Sequence, residues 1–150
     1  MSSKMRLTRL LVLIVGTGAV GLGAQTPQDG SLEFAVLRAD RVVAWVSTGE
    51  SASLNCSITG MGSTAQMNCS SRTMQHGVPL VYHTALVVAS NGVGYVVSCG
   101  GGLLRRIGCK PLAAGESLSG SVEGERLSLS VDDKIRNYRI ETSAYIGTVS

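Results

Sequence analysis

The residues with most chemistry to offer are four cysteines, Cys56, Cys69, Cys99 and Cys109, two histidines, His76 and His83, and the methionines Met61, Met67 and Met74. A thiol beside an imidazole is a nucleophile with its base. Four thiolates can hold zinc, but the paired C-x-x-C knuckles of a structural zinc site are missing. Thioethers near His76 suit Cu(I) outside the cytoplasm, although methionine more often serves as a gap-filler in apolar cores. In a small exported chain, four cysteines most simply form two disulfides in one of three connectivities. Short loops favour Cys56 with Cys69 and Cys99 with Cys109. A bridge from Cys56 or Cys69 to Cys99 is the alternative.

The tripeptide Asn-Cys-Ser occurs twice, at Asn55 and at Asn68. Folding residues 54–71 about Gly62-Ser63, a glycine-first pair suited to a two-residue type II′ loop, sets Met61 opposite Thr64, Ile58 opposite Met67 and Cys56 opposite Cys69. Strand alternation then gathers Leu54, Cys56, Ile58, Ala65, Met67 and Cys69 on one face and only polar side chains on the other. A slip of one residue would mix the two faces, so the pattern specifies both turn and pairing. Cys56 and Cys69 fall at a non-hydrogen-bonded position, where opposed Cα atoms are about 4.5 Å apart, within disulfide reach. Asn55 and Asn68 point outward and fit the Asn-x-Ser acceptor pattern; whether sugar is added depends on the host. The polar ladder is the most distinctive outward surface, and a solvated face explains it more simply than a dedicated binding face does. It offers no aromatic ring on which a sugar could stack.

The pair Asn91-Gly92 signals a second hairpin. A two-residue loop there sets Leu86 opposite Val97, Val88 opposite Tyr95 and Thr84 opposite Cys99. Cys99 and His83 would then point to opposite sides of the sheet, against a nucleophile-and-base pair. His76, in "RTMQHGVPL", is the other imidazole that could reach a thiol. A third hairpin in "RLSLSVDDKIRNYRIETS", with a four-residue loop over 132–135, sets Leu129 against Tyr138 and Leu127 against Ile140.

Other patterns carry less. Gly100-Gly101-Gly102 lacks the Lys-Ser/Thr and following helix of a phosphate loop, so a bulge, tight bend or close backbone packing is expected. No Gly-x-Ser-x-Gly elbow occurs, and the acid pairs Glu123/Glu125 and Asp132/Asp133 sit in turn-like contexts that give no support to glycosidase chemistry.

The segment "CKPLAAGESLSGSVEGERLSLSVDDKIRNYRIETS" resembles small exported bacterial proteins of unknown function. The resemblance covers about the last quarter of the chain and implies no activity.

The elements that must position these residues begin with an export signal. Lys4, Arg6 and Arg9 precede an apolar run and a small-residue stretch ending at Ala24, the order of a cleaved secretory peptide over residues 1–24. A membrane span needs about 20 apolar residues, and this run is shorter and broken by Gly16, Gly18, Gly21 and Gly23. No cysteine near the cut supports lipid attachment. The three signal cations are also the whole surplus of positive charge, so the remainder holds 10 acidic residues and as many basic ones. That balance gives no footing for nucleic-acid binding.

Residues 25–30 read as a loose tail and 31–150 as a single β domain. Short apolar runs between Gly- and Ser-rich stretches, without sustained helical periodicity, predict an all-β fold. Strands are expected at 32–38, 42–47, 52–59, 64–70, 80–89, 93–99, 103–109, 126–131 and 137–142. Such a chain predicts a small antiparallel β-sandwich of immunoglobulin-like kind, with a small β-barrel as alternative. The expected function is an exported, disulfide-stabilised binding or structural module without catalysis or cofactor. Its partner would be a protein or the cell envelope, with no stable membrane insertion once the signal is removed. A thiol-dependent redox or enzyme domain and a periplasmic protein binding Cu(I) or another metal are the alternatives.

Overall fold

The computed structural model describes residues 30–72, 74–101 and 109–149. The expected signal and nearly all of the tail lie outside the described residues, as does the strand expected at 103–109 except for Cys109. The described chain is all-β. Its strands are β1 (Leu32–Val46), β2 (Leu54–Thr59), β3 (Gln66–Ser71), β4 (Val78–Ala89), β5 (Val93–Gly100), β6 (Ser117–Glu123), β7 (Arg126–Val131) and β8 (Lys134–Tyr145).

All pairings are antiparallel, and the order β1-β4-β5-β8-β7-β6 closes where β6 returns to β1, from Leu32 opposite Gly120 to Ala35 opposite Ser117. The six strands therefore share one continuous ladder. The strand responsible is β6, "SLSGSVE", which the sequence reading did not anticipate because it carries only two large apolar residues, Leu118 and Val122. β2 and β3 form a separate two-stranded sheet.

Two apolar clusters follow from this arrangement. One gathers Phe34, Val36, Ala85, Val87, Ala89, Val97, Leu127, Leu129, Val131 and Tyr138 inside the ring of strands. The other joins Leu86, Val88 and Val96, on the opposite face of β4 and β5, to Ala65, Ile146 and the inward side chains of the β2–β3 hairpin. β4 and β5 are thus covered on both faces, which accounts for the unbroken apolar run from Ala85 to Ala89. Each fully buried Val or Leu contributes about 1.5 to 3 kcal/mol.

Where strands were expected at 32–38 and 42–47, the structure has one strand of 15 residues with a bulge between Val36 and Arg38. The bulge reverses the inward parity. Phe34 and Val36 belong to the cluster inside the ring before it; after it Ala44 and Val46 are buried on the other face of the strand, while Val43 and Trp45, on the ring side, are exposed. The charged stretch at Arg38, Asp40 and Arg41 marks this crossing, where the strand has solvent around it yet stays paired to β4 throughout.

The hairpin registers differ instructively. In β2–β3, Cys56 faces Cys69 and Ile58 faces Met67, with the polar residues exposed on the other side. The turn is centred on Gly62-Ser63, but the ladder stops at Thr59 opposite Gln66. A single 3-10 turn, Gly62–Thr64, fills the loop, and the Gly62 N–H donates to the Ile146 carbonyl at 2.7 Å, seating the turn on the C-terminal segment.

In β4–β5, the expected two-residue loop is replaced by three residues. Gly92 takes a left-handed conformation (φ 86°), and its N–H donates to the Ala89 carbonyl at 2.9 Å. This is a type I turn with a glycine bulge. The register becomes Leu86 opposite Val96, Thr84 opposite Ser98 and His83 opposite Cys99. The expectation that Cys99 and His83 lie on opposite sides of the sheet is therefore corrected: they are direct cross-strand neighbours.

In β7–β8, the loop is Asp132-Asp133 alone, both left-handed (φ 50° and 59°), as a type I′ turn requires. Leu127 faces Tyr138 and Leu129 faces Arg136, two residues away from the expected pairing. An even shift preserves the faces, so Leu127, Leu129 and Tyr138 still share the interior.

Candidate functional site: a polar groove beside a disulfide

The cysteines are fully paired. Cys56 is bridged to Cys69, with Cα atoms 4.1 Å apart, and Cys99 to Cys109, with Cα atoms 5.3 Å apart. The first bridge staples the hairpin across its own ladder. The second ties the end of β5 to the segment entering β6.

Beside that second bridge lies a groove of about 480 Å³, walled by Tyr82, Ser98, Asn137, Arg139 and Glu141 and roofed by Ala52. Backbone irregularity builds it. A bulge in the β5–β8 ladder, where Val96 pairs with Thr142 but Val97 pairs with Ile140, leaves Glu141 as the extra residue. There its carboxylate accepts a hydrogen bond from the Ser98 hydroxyl at 2.5 Å, and Arg139 Nε stands 3.9 Å from the same oxygen. The Glu141 side chain is 10 % exposed against 65 % for Arg139, so the anion is held in the wall and the cation lies at the surface.

The roof is pinned by Tyr82, whose hydroxyl accepts from the Ala52 N–H at 3.1 Å. Gly100 borders the groove, and Gly101 follows it in the chain. Both are left-handed (φ 109° and 87°), and a Cβ on Gly101 would collide with the Tyr82 ring. The expected tight bend with close backbone packing is what these two glycines provide; Gly102 lies outside the described residues. Two polar atoms near the groove are buried without a hydrogen-bond partner: Thr84 Oγ1, across the ladder from Ser98, and Arg136 Nε. An unpaired buried polar atom costs about 1 to 3 kcal/mol.

Tyr138 braces the same region. Its hydroxyl donates to the Lys110 carbonyl at 2.8 Å, and Lys110 is ion-paired with Asp132. Burial pushes the Tyr138 phenol up to about 12; Arg136 opposes the rise and Glu116 adds to it.

The remaining sequence candidates are dispersed. Asn55, Ser57, Thr59, Gln66, Asn68 and Ser70 form an exposed, uncharged ladder. Met67 packs under the hairpin, Met61 is exposed in its turn, and Met74 lies beyond its open end, accepting from the Ser47 hydroxyl. The methionines with His76 are therefore not gathered into one site. Among the described residues, no group of three or more His, Cys, Asp or Glu side chains could hold a metal ion. Glu123 pairs with Arg126 at the β6–β7 turn, and Asp132 and Asp133 form the β7–β8 loop.

Sequence reasoning missed the groove. Ser98 and Glu141 are 43 positions apart and meet through a bulge that no local pattern announces. No helix among the described residues is long and apolar enough to cross a membrane. The chain matches no family model, no curated protein and no solved structure.

Proposed function

We propose that the chain, freed of residues 1–24, works in an oxidising extracytoplasmic compartment as a disulfide-stapled binding module rather than an enzyme, with the groove as its ligand site. The two disulfides support the compartment. The observation that carries the site is the Ser98–Glu141–Arg139 set: a nearly buried carboxylate, its hydroxyl donor and a surface guanidinium held on paired strands. A partner from the cell envelope or another protein would meet an acceptor and a donor at fixed spacing, with the cation of the ligand directed to Glu141 and its anion to Arg139. The β-barrel alternative describes the scaffold better than a sandwich, since the ladder closes. The balanced charge outside the signal argues against nucleic acid, and the polar hairpin face argues against stable insertion into a membrane.

Two measurements test this. The intact mass of the exported protein, alkylated without reduction, should show the signal removed and no cysteine labelled. Retention on a washed cell-envelope fraction should fall about tenfold in Glu141→Gln, as expected for loss of a charge-assisted contact. Labelled cysteines would sink the stapled form, and equal retention of the variant would sink the groove assignment.

A further inference from the structure

We propose that the Cys99–Cys109 bridge is a thiol–disulfide exchange site, opened at Cys109 by an external dithiol while His83 supplies the proton that Cys99 takes up. The inference goes beyond the binding role and rests on the β4–β5 register. His83 stands directly opposite Cys99, and side chains so opposed have Cβ atoms about 4.5 to 5.5 Å apart.

An opening of about 250 Å³, lined by Val81, His83, Gly100 and Cys109, reaches the bridge from one side. Cys109 and Cys99 also border the polar groove on another. Cys99 packs against the interior cluster and borders only the groove, whereas Cys109 borders both openings, so Cys109 is the sulfur an incoming thiolate meets. Arg41 faces His83 from β1 and Lys110 follows Cys109, while Arg136 and Arg139 of β8 border the groove that both cysteines line, together with Glu141, whose carboxylate is taken up by the Ser98 hydroxyl. Asp132 is paired with Lys110, and the Tyr138 hydroxyl is held on the Lys110 carbonyl. Cationic surroundings favour a departing thiolate. The Cys56–Cys69 bridge has no such setting, since its ladder neighbours are Asn55, Ser57, Asn68 and Ser70, and its inward side is apolar.

In the first step the thiolate of the dithiol attacks Cys109 Sγ, a mixed disulfide forms, and the S–S bond breaks with its electron pair on Cys99 Sγ. The His83 imidazolium protonates that thiolate. The second thiol of the reductant then attacks its own sulfur in the mixed disulfide and releases Cys109. The dithiol is oxidised by two electrons and the cysteine pair is reduced by two.

The test is timed reduction of the full oxidised protein by dithiothreitol, with alkylation quench and peptide mapping. Cys99 and Cys109 should take label about tenfold or more faster than Cys56 and Cys69, as thiolate stabilisation predicts. In His83→Gln the Cys99–Cys109 rate should fall about tenfold while the Cys56–Cys69 rate stays unchanged, as loss of a proton donor to the departing thiolate predicts. Equal rates at the two bridges of the wild-type protein, or a Cys99–Cys109 rate unaltered by His83→Gln, would overturn the proposal. Should the variant fail to fold, the comparison of the two bridges in the wild-type protein decides, because Cys56–Cys69 serves as the control within the same molecule.

Discussion

The Ser98 hydroxyl on β5 donates to Glu141 on β8 at the point where the ladder between those strands skips a residue. Without the bulge, β8 side chains would alternate regularly, and Glu141 would not be the unpaired residue turned against Ser98.

Ser98→Ala removes the donor to a carboxylate that is 10 % exposed. Hydrogen bonds to charged groups contribute about 1.5 to 3 kcal/mol, and the variant should lose stability of that order. Glu141→Gln should lose less, since the amide oxygen can still accept from Ser98. The midpoint of urea unfolding reads both. A Ser98→Ala midpoint equal to wild type would mean that water already satisfies the carboxylate.

The Cys56–Cys69 staple closes a loop of 13 positions. Replacing both cysteines by serine should cost about 3 kcal/mol through the larger freedom of the unfolded chain. The hairpin packs on the outer cluster while the ring of strands has its own interior. Amide exchange should therefore quicken across β2 and β3 while β7 keeps its protection. Uniform loss across all strands would show that the hairpin and the ring unfold as one unit.

Gly120 lies opposite Leu129 in the β6–β7 ladder, and a Cβ there would run into the Ser128 carbonyl oxygen. Gly120→Ala should destabilise by about 1 to 3 kcal/mol, the usual cost of overpacking. The damage should centre on β6, the strand that closes the ring onto β1, and should appear as lost amide protection from Ser117 to Glu123. Protection equal to wild type there would refute the close approach.

How much could be read beforehand depended on how unlike the two faces of each strand are. In β2–β3 one face is apolar and the other polar, so a slip would bury asparagine, and the sequence pattern admitted one register. β4 and β5 are buried on both faces, so pattern could not choose between registers one residue apart. Turn chemistry was the only guide, and Asn91-Gly92 fits a three-residue loop as well as a two-residue one. That single-residue difference hid the His83–Cys99 pairing. β6 went unread because serine and glycine dominate it; it is a strand through its pairing with β1 and β7 rather than through its own propensity.

Tyr138 couples this packing to pH. Its phenol is pushed up to about 12 from 10.0, chiefly by burial, so the folded state favours the neutral form. Below pH 10 the folded and unfolded chains hold the proton alike, and the neutral phenol's contribution is fully present. Between 10 and 12 the unfolded chain sheds it first, and stability should fall as pH rises through that window. Tyr138→Phe should lose about 1 kcal/mol at neutral pH, for the hydrogen bond to the Lys110 carbonyl. The same variant should remove this residue's share of the alkaline decline. Urea unfolding of both proteins from pH 8 to 11.5 provides the comparison, and parallel curves over the whole range would show that the phenol titrates no differently in the folded chain.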